Sequence, residues 1–269
     1  MTLITQPLSE AYGTLSYREV GQGAPIVLIH GVGMQSAAWA PQVETLSQQY
    51  RVIAVDMPGH GGSSPLPPDT PLPAFVDWLQ AVMQALQLRH VYLAGHSMGA
   101  LIAAGYAVTY PKELKGVALL NGVFKRSNDA RAAVVARAQQ IRSGGFDLET
   151  PLARWFGDTA IEQSARDNVA QWLSAVDLEG YATAYNAFAK GDDTYADRFS
   201  EIACPFLALT GDGDQNSTPE MSQAMADAVP NGVAKVIKGH RHMVNLTAPD
   251  EVSSALLNWV QSTRKEPQS

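Results

Sequence analysis

The chain has 269 residues, 46% of them apolar and 17% charged, with 26 acidic against 19 basic side chains and a net charge of −7. That composition excludes a disordered chain, and the acidic balance excludes a surface built for nucleic acid or anionic membrane. The single cysteine, Cys204, permits no internal disulfide, and the first residues have neither the basic stretch nor the apolar run of a secretory leader, so a cytoplasmic protein is expected.

Residues 14–20 alternate weakly and read as an antiparallel strand. The runs at 25–30, 51–56, 91–95 and 116–121 are continuously apolar, as strands buried on both faces of a parallel sheet are. Helical patterns lie between them at 39–49, 72–88 and 98–110. The apolar stretch at 91–108 is no membrane span, because His96, Ser97 and Tyr106 break it into a strand, a turn and a helix. This alternation predicts an α/β fold: a mostly parallel central sheet with helices on both faces. From about 124 to 197 no buried strand appears. The segment reads as amphipathic helices split at 143–145, 157–158 and 191–193. The rhythm resumes with strands at 205–210 and 233–237 and helices at 219–229 and 249–262, the last with Thr247 as its expected N-cap. The domain reading is therefore a core in two parts, 1–122 and 201–269, with an inserted helical cap at 123–200, and a polar tail at 263–269 that is expected to fray.

Gly95-His-Ser-Met-Gly99 carries the most chemistry, because it closes a buried strand and opens a helix. A chain that turns this sharply passes close to itself, so the residues two before and two after the corner must be small. The corner side chain then projects above unpaired N–H groups at the helix N-terminus, which favour developing negative charge. Ser97 is the expected nucleophile and the Met98 N–H one oxyanion donor. His30-Gly-Val-Gly33 supplies a second loop open to close backbone approach, with the Val32 N–H as the other donor. His30 itself reads as structural.

A serine hydroxyl needs a base, and the base needs an orienting acid. The acid comes from Gly211-Asp-Gly-Asp214, where Asp214 is preferred because Asp212 sits close enough to the strand to close a turn. The base comes from Gly239-His-Arg-His242, and the residues alone leave His240 and His242 open. The His-x-His pair has no third ligand cluster, so no metal is expected. Gly59-His-Gly-Gly62 lacks phosphate-loop spacing, so no nucleotide or flavin cofactor is expected either.

Together these segments resemble the α/β-hydrolase superfamily over almost the whole chain. The resemblance rests on Leu28-Ile-His-Gly-Val-Gly33, Asp56-Met-Pro-Gly-His-Gly-Gly-Ser63, the Ser97 turn, Gly211-Asp-Gly-Asp214 and the histidine loop ending at Pro249. The Asp56 turn is similar to that of the capped branch holding enol-lactonases, carbon–carbon bond hydrolases and small carboxylesterases. The resemblance implies catalytic Ser97 and Asp214 with oxyanion donors Val32 and Met98. Its Gly-His pair points to His240 as base, whereas its six-residue spacing to the proline of the last helix points to His242, and the spacing decides for His242.

The expected activity is hydrolysis of a small carboxylic ester or lactone through an acyl-enzyme. Carbon–carbon or amide bond hydrolysis by the same triad is the alternative, and a ligand receptor on a hydrolase fold is the reading from another class. The cap is expected to set specificity, with Trp155 and Tyr185 lining an apolar pocket and Arg126 pairing a substrate carboxylate. Lys125 and the cap aromatics Phe124, Phe156, Trp172, Tyr181 and Phe188 are weighed beside them. The partner expected is a small-molecule substrate.

Overall fold

The computed structural model describes residues 2–263; the rest of the polar tail lies outside the described residues. Eight strands form one sheet in the order β1-β2-β4-β3-β5-β6-β7-β8. They are β1 (Leu3–Pro7), β2 (Thr14–Val20), β3 (Pro25–Ile29), β4 (Arg51–Val55), β5 (Val91–His96), β6 (Leu114–Leu120), β7 (Phe206–Gly211) and β8 (Gly232–Ile237). β1 and β2 pair antiparallel, β2 joins β4 antiparallel, and every other pairing is parallel.

The continuous apolar runs are explained by two cores. Alternate residues of one strand face opposite sides. On β3, Val27 and Ile29 enter one core and Ile26 and Leu28 the other; on β4, Ile53 and Val55 part from Val52 and Ala54 in the same way. Helices α1 (Ala40–Leu46) and α10 (Pro249–Ser262) cover one face through Val43, Leu256 and Trp259, with Trp39 at the N-cap of α1. Helices α2 (Leu72–Ala85), α3 (Met98–Thr109) and α8 (Pro219–Asp227) cover the other. α3 is buried from Met98 through Val108, which accounts for its apolar character all round.

Between β6 and β7 lie α4 (Asn128–Arg142), α5 (Glu149–Trp155), α6 (Ala160–Ala175) and α7 (Leu178–Lys190). The three glycine-marked breaks fall where the sequence puts them. A fourth break, between α6 and α7, has no glycine and was not anticipated. There α6 stops at Ala175, with Val176 extended after it, and Asp177 caps α7, its Oδ1 accepting the Gly180 N–H at 2.6 Å. α7 seats on the loop after β4 through two glycines: a Cβ on Gly59, which sits at φ +73°, would meet the Gly180 Cα at 2.4 Å.

Two local expectations are corrected. β1 was missed because its residues are mostly exposed, so no buried face leaves an alternating pattern; backbone pairing with β2 alone defines it. Thr247 does not cap α10. It ends a short helix, α9 (Val244–Thr247), and its hydroxyl donates to the Met243 carbonyl, while Ala248 occupies the cap position without a side-chain bond. No helix among the described residues is long and apolar enough to cross a membrane.

Candidate active site

The C-terminal ends of β3, β5, β6, β7 and β8 converge under the four inserted helices, where an open α/β sheet places its binding crevice. A cavity of about 390 Å³ lies there, and Ser97, Val32 and His242 are among the residues lining it.

Ser97 stands between β5 and α3 at φ 55° and ψ −112°, a backbone conformation that L-residues rarely adopt. The turn is as tight as the flanking glycines imply. A Cβ on Gly95 would lie 2.0 Å from the Gly99 carbonyl oxygen, and one on Gly99 would lie 2.3 Å from that of Ile29. Gly99→Ala is therefore expected to destabilise the fold by about 1–3 kcal/mol and to misplace Ser97, which a lowered melting temperature together with reduced turnover checks. The Met98 N–H is the first of α3, one of the amides a helix leaves without an internal partner.

Asp214 and His242 meet behind the cavity wall. The imidazole Nδ1–H donates to Asp214 Oδ2 at 2.7 Å, and both residues are buried. The carboxylate is fully engaged. Oδ2 also accepts the Asn121 side-chain amide at 2.8 Å, and Oδ1 accepts the backbone N–H groups of Asn216 at 2.8 Å and Ser217 at 3.2 Å. Burial pushes this carboxyl up. The neighbouring His242 and the bonds from Asn121 and Asn216 overcome that and hold it below the usual carboxylate range. With Nδ1 committed, Nε2 is the nitrogen left to act. Among the described residues no hydrogen bond links it to Ser97 Oγ; such bonds commonly form only around bound substrate.

The rejected candidates have other work. His240 Nδ1 bonds Thr247 Oγ1 at 2.9 Å, and Asp212 accepts the Gly239 N–H at 2.7 Å from an exposed turn. Trp155, on α5, stacks on the His242 ring with centroids 5.6 Å apart and 29° between planes. Arg241 ties α5 to the histidine loop by donating to the Ala153 and Phe156 carbonyls at 3.0 and 2.6 Å. Tyr181, Tyr185 and Phe188 line the cavity with Trp155. Phe124 instead packs on Phe199, Phe156 belongs to the core, and the half-buried Trp172 packs against it.

Arg126 reaches the cavity wall but arrives paired. Its guanidinium lies 3.2 Å from Asp192, with both side chains almost wholly buried, donates to the Phe188 carbonyl and covers the Phe188 ring. Lys125 points out to Asp197.

Asn121 has no role in the sequence reading, which takes His30 as structural and gives His60 and His96 no catalytic part. Asn121 ends a buried apolar strand in the left-handed region at φ 48°, and a lone amide there is the signal that it serves a buried neighbour. His30 donates from Nδ1 to the Gly31 carbonyl at 2.7 Å and accepts the Met57 N–H at 2.9 Å. His60 donates to the Pro58 carbonyl at 3.0 Å and accepts the Gly33 N–H at 2.9 Å. Between them they latch the Val32 loop to the loop after β4. His96 donates from Nε2 to the His242 carbonyl at 2.8 Å, fixing the backbone that carries the candidate base.

With this geometry in view, the comparisons with known proteins are decisive about kinship. A family model described as the alpha/beta hydrolase fold matches residues 24–249. The chain belongs to the α/β-hydrolase family. A curated relative from Acinetobacter baylyi, (E)-2-((N-methylformamido)methylene)succinate hydrolase, is 52% identical over 93% of this chain and 95% of its own. A thermophilic esterase from Thermogutta terrifontis, solved with malate bound, superposes with a TM-score of 0.87 at 26% identity over 98% of this chain and 99% of that one. The enol-lactonase of Burkholderia xenovorans shares the fold, with a TM-score of 0.83 at 22% identity over 96% and 100% of the two chains. This α/β hydrolase is a hydrolytic enzyme, as the family and its 52% identical relative establish.

Proposed function

We propose that this α/β hydrolase transfers a small acyl group from a carboxylate-bearing amide to Ser97 and then to water, and that the group is the formyl of an N-formyl enamine. The observation that carries the mechanism is the buried Asp214–His242 pair beside a cavity that Ser97 enters from a strained turn. The choice of substrate is supported by the 52% identical relative, whose name specifies a formamide on a succinate skeleton.

Ser97 Oγ attacks the formyl carbon as His242 Nε2 takes its proton. The oxyanion is received by the N–H groups of Val32 and Met98, and Asp214 steadies the imidazolium. The tetrahedral adduct collapses with cleavage of the C–N bond, and the imidazolium returns the proton to the departing nitrogen. Water, deprotonated by the same imidazole, attacks the formyl ester, and formate leaves as Ser97 regains its proton. The Val32 and Met98 donors act at the step where charge develops, which is where preorganised amides accelerate most.

An ester or lactone carbonyl enters the same cycle, and the 26% identical esterase favours it as a second substrate class. Cytoplasmic localisation remains part of this reading, on the ground of a lone cysteine.

Incubation with (E)-2-((N-methylformamido)methylene)succinate is expected to release one formate per molecule, and a serine-directed organophosphonate is expected to label Ser97. Turnover of p-nitrophenyl esters without formate release would move the substrate to the ester class. Absence of both turnover and labelling would overturn the enzymatic mechanism.

A further inference from the structure

Three arginines, Arg126, Arg137 and Arg154, line the cavity, and no aspartate or glutamate does, although the chain as a whole carries −7. A concave site of one sign inside a protein of the other concentrates its counter-ion, here an anion. The three cations are not equivalent. Arg126 shares the buried Asp192 with Arg131, which also pairs with Asp193, so two positive and two negative groups close on one another. Arg137, on α4, donates from one Nη to the Asp147 carbonyl at 3.3 Å and stands 3.6 Å from that residue's partly exposed carboxylate, whose Oδ1 is taken up by the Glu149 and Thr150 amides. Arg154, on α5 at the cavity mouth, has no carboxylate partner among the described residues and donates only to the Asn216 side chain at 3.3 Å. A guanidinium has five N–H donors, so Arg137 and Arg154 each keep most of theirs for a ligand. Tyr185 lines the same cavity. Its phenol has no hydrogen-bond partner among the described residues and feels the positive charge of Arg137, Arg126 and Arg154.

We infer that the cavity recognises a dicarboxylate at two separate points, with Arg137 taking one carboxylate, Arg154 the other, and the Tyr185 hydroxyl donating between them. Arg126, its charge answered by Asp192, shapes the wall without holding substrate. This rests on the proposed substrate class but not on turnover. Two fixed forks set the distance between the carboxylates, so a diacid is oriented with its acyl end toward Ser97, while a monoacid is held at one point and swings. The two helices that supply the arginines both belong to the inserted segment, so specificity resides there and chemistry at the sheet edge.

The test uses binding alone. In a Ser97→Ala background, calorimetry measures the affinity of (E)-2-((N-methylformamido)methylene)succinate, its two monomethyl esters and its dimethyl ester. Arg137→Met and Arg154→Met are each expected to weaken the diacid about 10- to 100-fold, the range for losing one charge-assisted contact. Each is also expected to erase the penalty for one monoester, a different one in the two variants. Arg126→Met is expected to lower the melting temperature rather than to reproduce this pairing. Penalties that persist in both variants, or a diester that binds as well as the diacid, would overturn the two-point assignment. Loss of formate release in the unmodified enzyme would overturn the catalytic reading instead, and the binding series would still decide this one. Arg137→Lys and Arg154→Lys, which keep the charge and lose the fork, serve if a methionine variant fails to fold, and are expected to weaken the diacid less while still narrowing the gap between the monoesters.

Discussion

Ser97→Ala is expected to lower kcat/KM on the order of 10⁴-fold or more, His242→Ala by a comparable factor, and His240→Ala by less than threefold. Members of a triad act as a unit, so losing the nucleophile or the base costs nearly the whole contribution of the group. The three variants differ in what each removes. Ser97→Ala deletes one oxygen and leaves the turn intact. His242→Ala also strips Asp214 of its partner at 2.7 Å and exposes the face on which Trp155 stacks. Its melting temperature should therefore fall as well, and His242→Gln, which keeps more of the packing, separates loss of the base from loss of the fold. His240→Ala gives up one half-buried bond to Thr247, a contact of about 1 kcal/mol. Steady-state kinetics on a formamide or ester substrate decides the matter. An inert His240→Ala beside an active His242→Ala would reverse the roles and would require the loop to rearrange around Asp214.

The two histidines show what can be read from sequence and what cannot. Gly239-His-Arg-His242 supplies two imidazoles two residues apart; the residues alone leave both open, and only the six-residue spacing that the resemblance implies selects His242. The deciding constraint is three-dimensional: His96, at the end of β5, holds the His242 carbonyl, and Asp214, after β7, holds its ring. The strands themselves were legible because burial on both faces writes unbroken apolar runs, as in β3 and β4. The Ser97 turn was legible because sterics leave glycine little alternative at 95 and 99. β1 was illegible because backbone pairing leaves no mark on exposed side chains, and the break at Asp177 because an aspartate cap inside a polar helix resembles any other surface residue. Asn121 needed a partner from the loop after β7, much later in the chain, before its amide acquired meaning. Arg126 was visible as a cation at the start of the cap, but the buried Asp192 that answers it lies 66 residues away. The electrostatic character of the cavity was hidden for the same reason, since Arg137 and Arg154 look like ordinary surface arginines until α4 and α5 fold over the sheet.

Acid should unfold this enzyme steeply between pH 6.5 and 4, with the loss beginning well above the range in which carboxylates titrate. His30, His60 and His96 are all buried and neutral, each with its bonds in place. Burial is the main cause in each case. It pulls His30 well below the usual imidazole range, helped by the proximity of His60; it brings His60 to about 4 despite Asp56 and Asp177 nearby; and it brings His96 to about 3, with His242 adding to the effect and Asp214 opposing it. In the unfolded chain each of these imidazoles takes a proton near pH 6.5. Through the interval below that value the unfolded state therefore holds more protons than the folded one, and stability falls as pH falls, by about 1.4 kcal/mol per unit for each histidine. Three acting together remove about 4 kcal/mol per unit, or up to about 10 kcal/mol by pH 4, which is comparable to a typical stability of about 5–15 kcal/mol. Asp214 behaves differently. Its lowered carboxyl contributes fully above the ordinary aspartate value and is lost only as pH falls through its folded pKa, beneath the histidine window. Urea unfolding in steps from pH 7.5 to 4.5 should show a flat plateau above pH 7 and then a slope of about three protons. His60→Gln, which retains an acceptor for the Gly33 N–H, should reduce that slope by about one. A protein equally stable at pH 7 and pH 5, or a His60→Gln variant with an unchanged slope, would show that these imidazoles are solvated. The latches on the Val32 loop and on the His242 backbone would then have to be held by something else. If the slope appears, activity and fold should fail together on acidification, because the same two latches hold the candidate oxyanion donor and the candidate base.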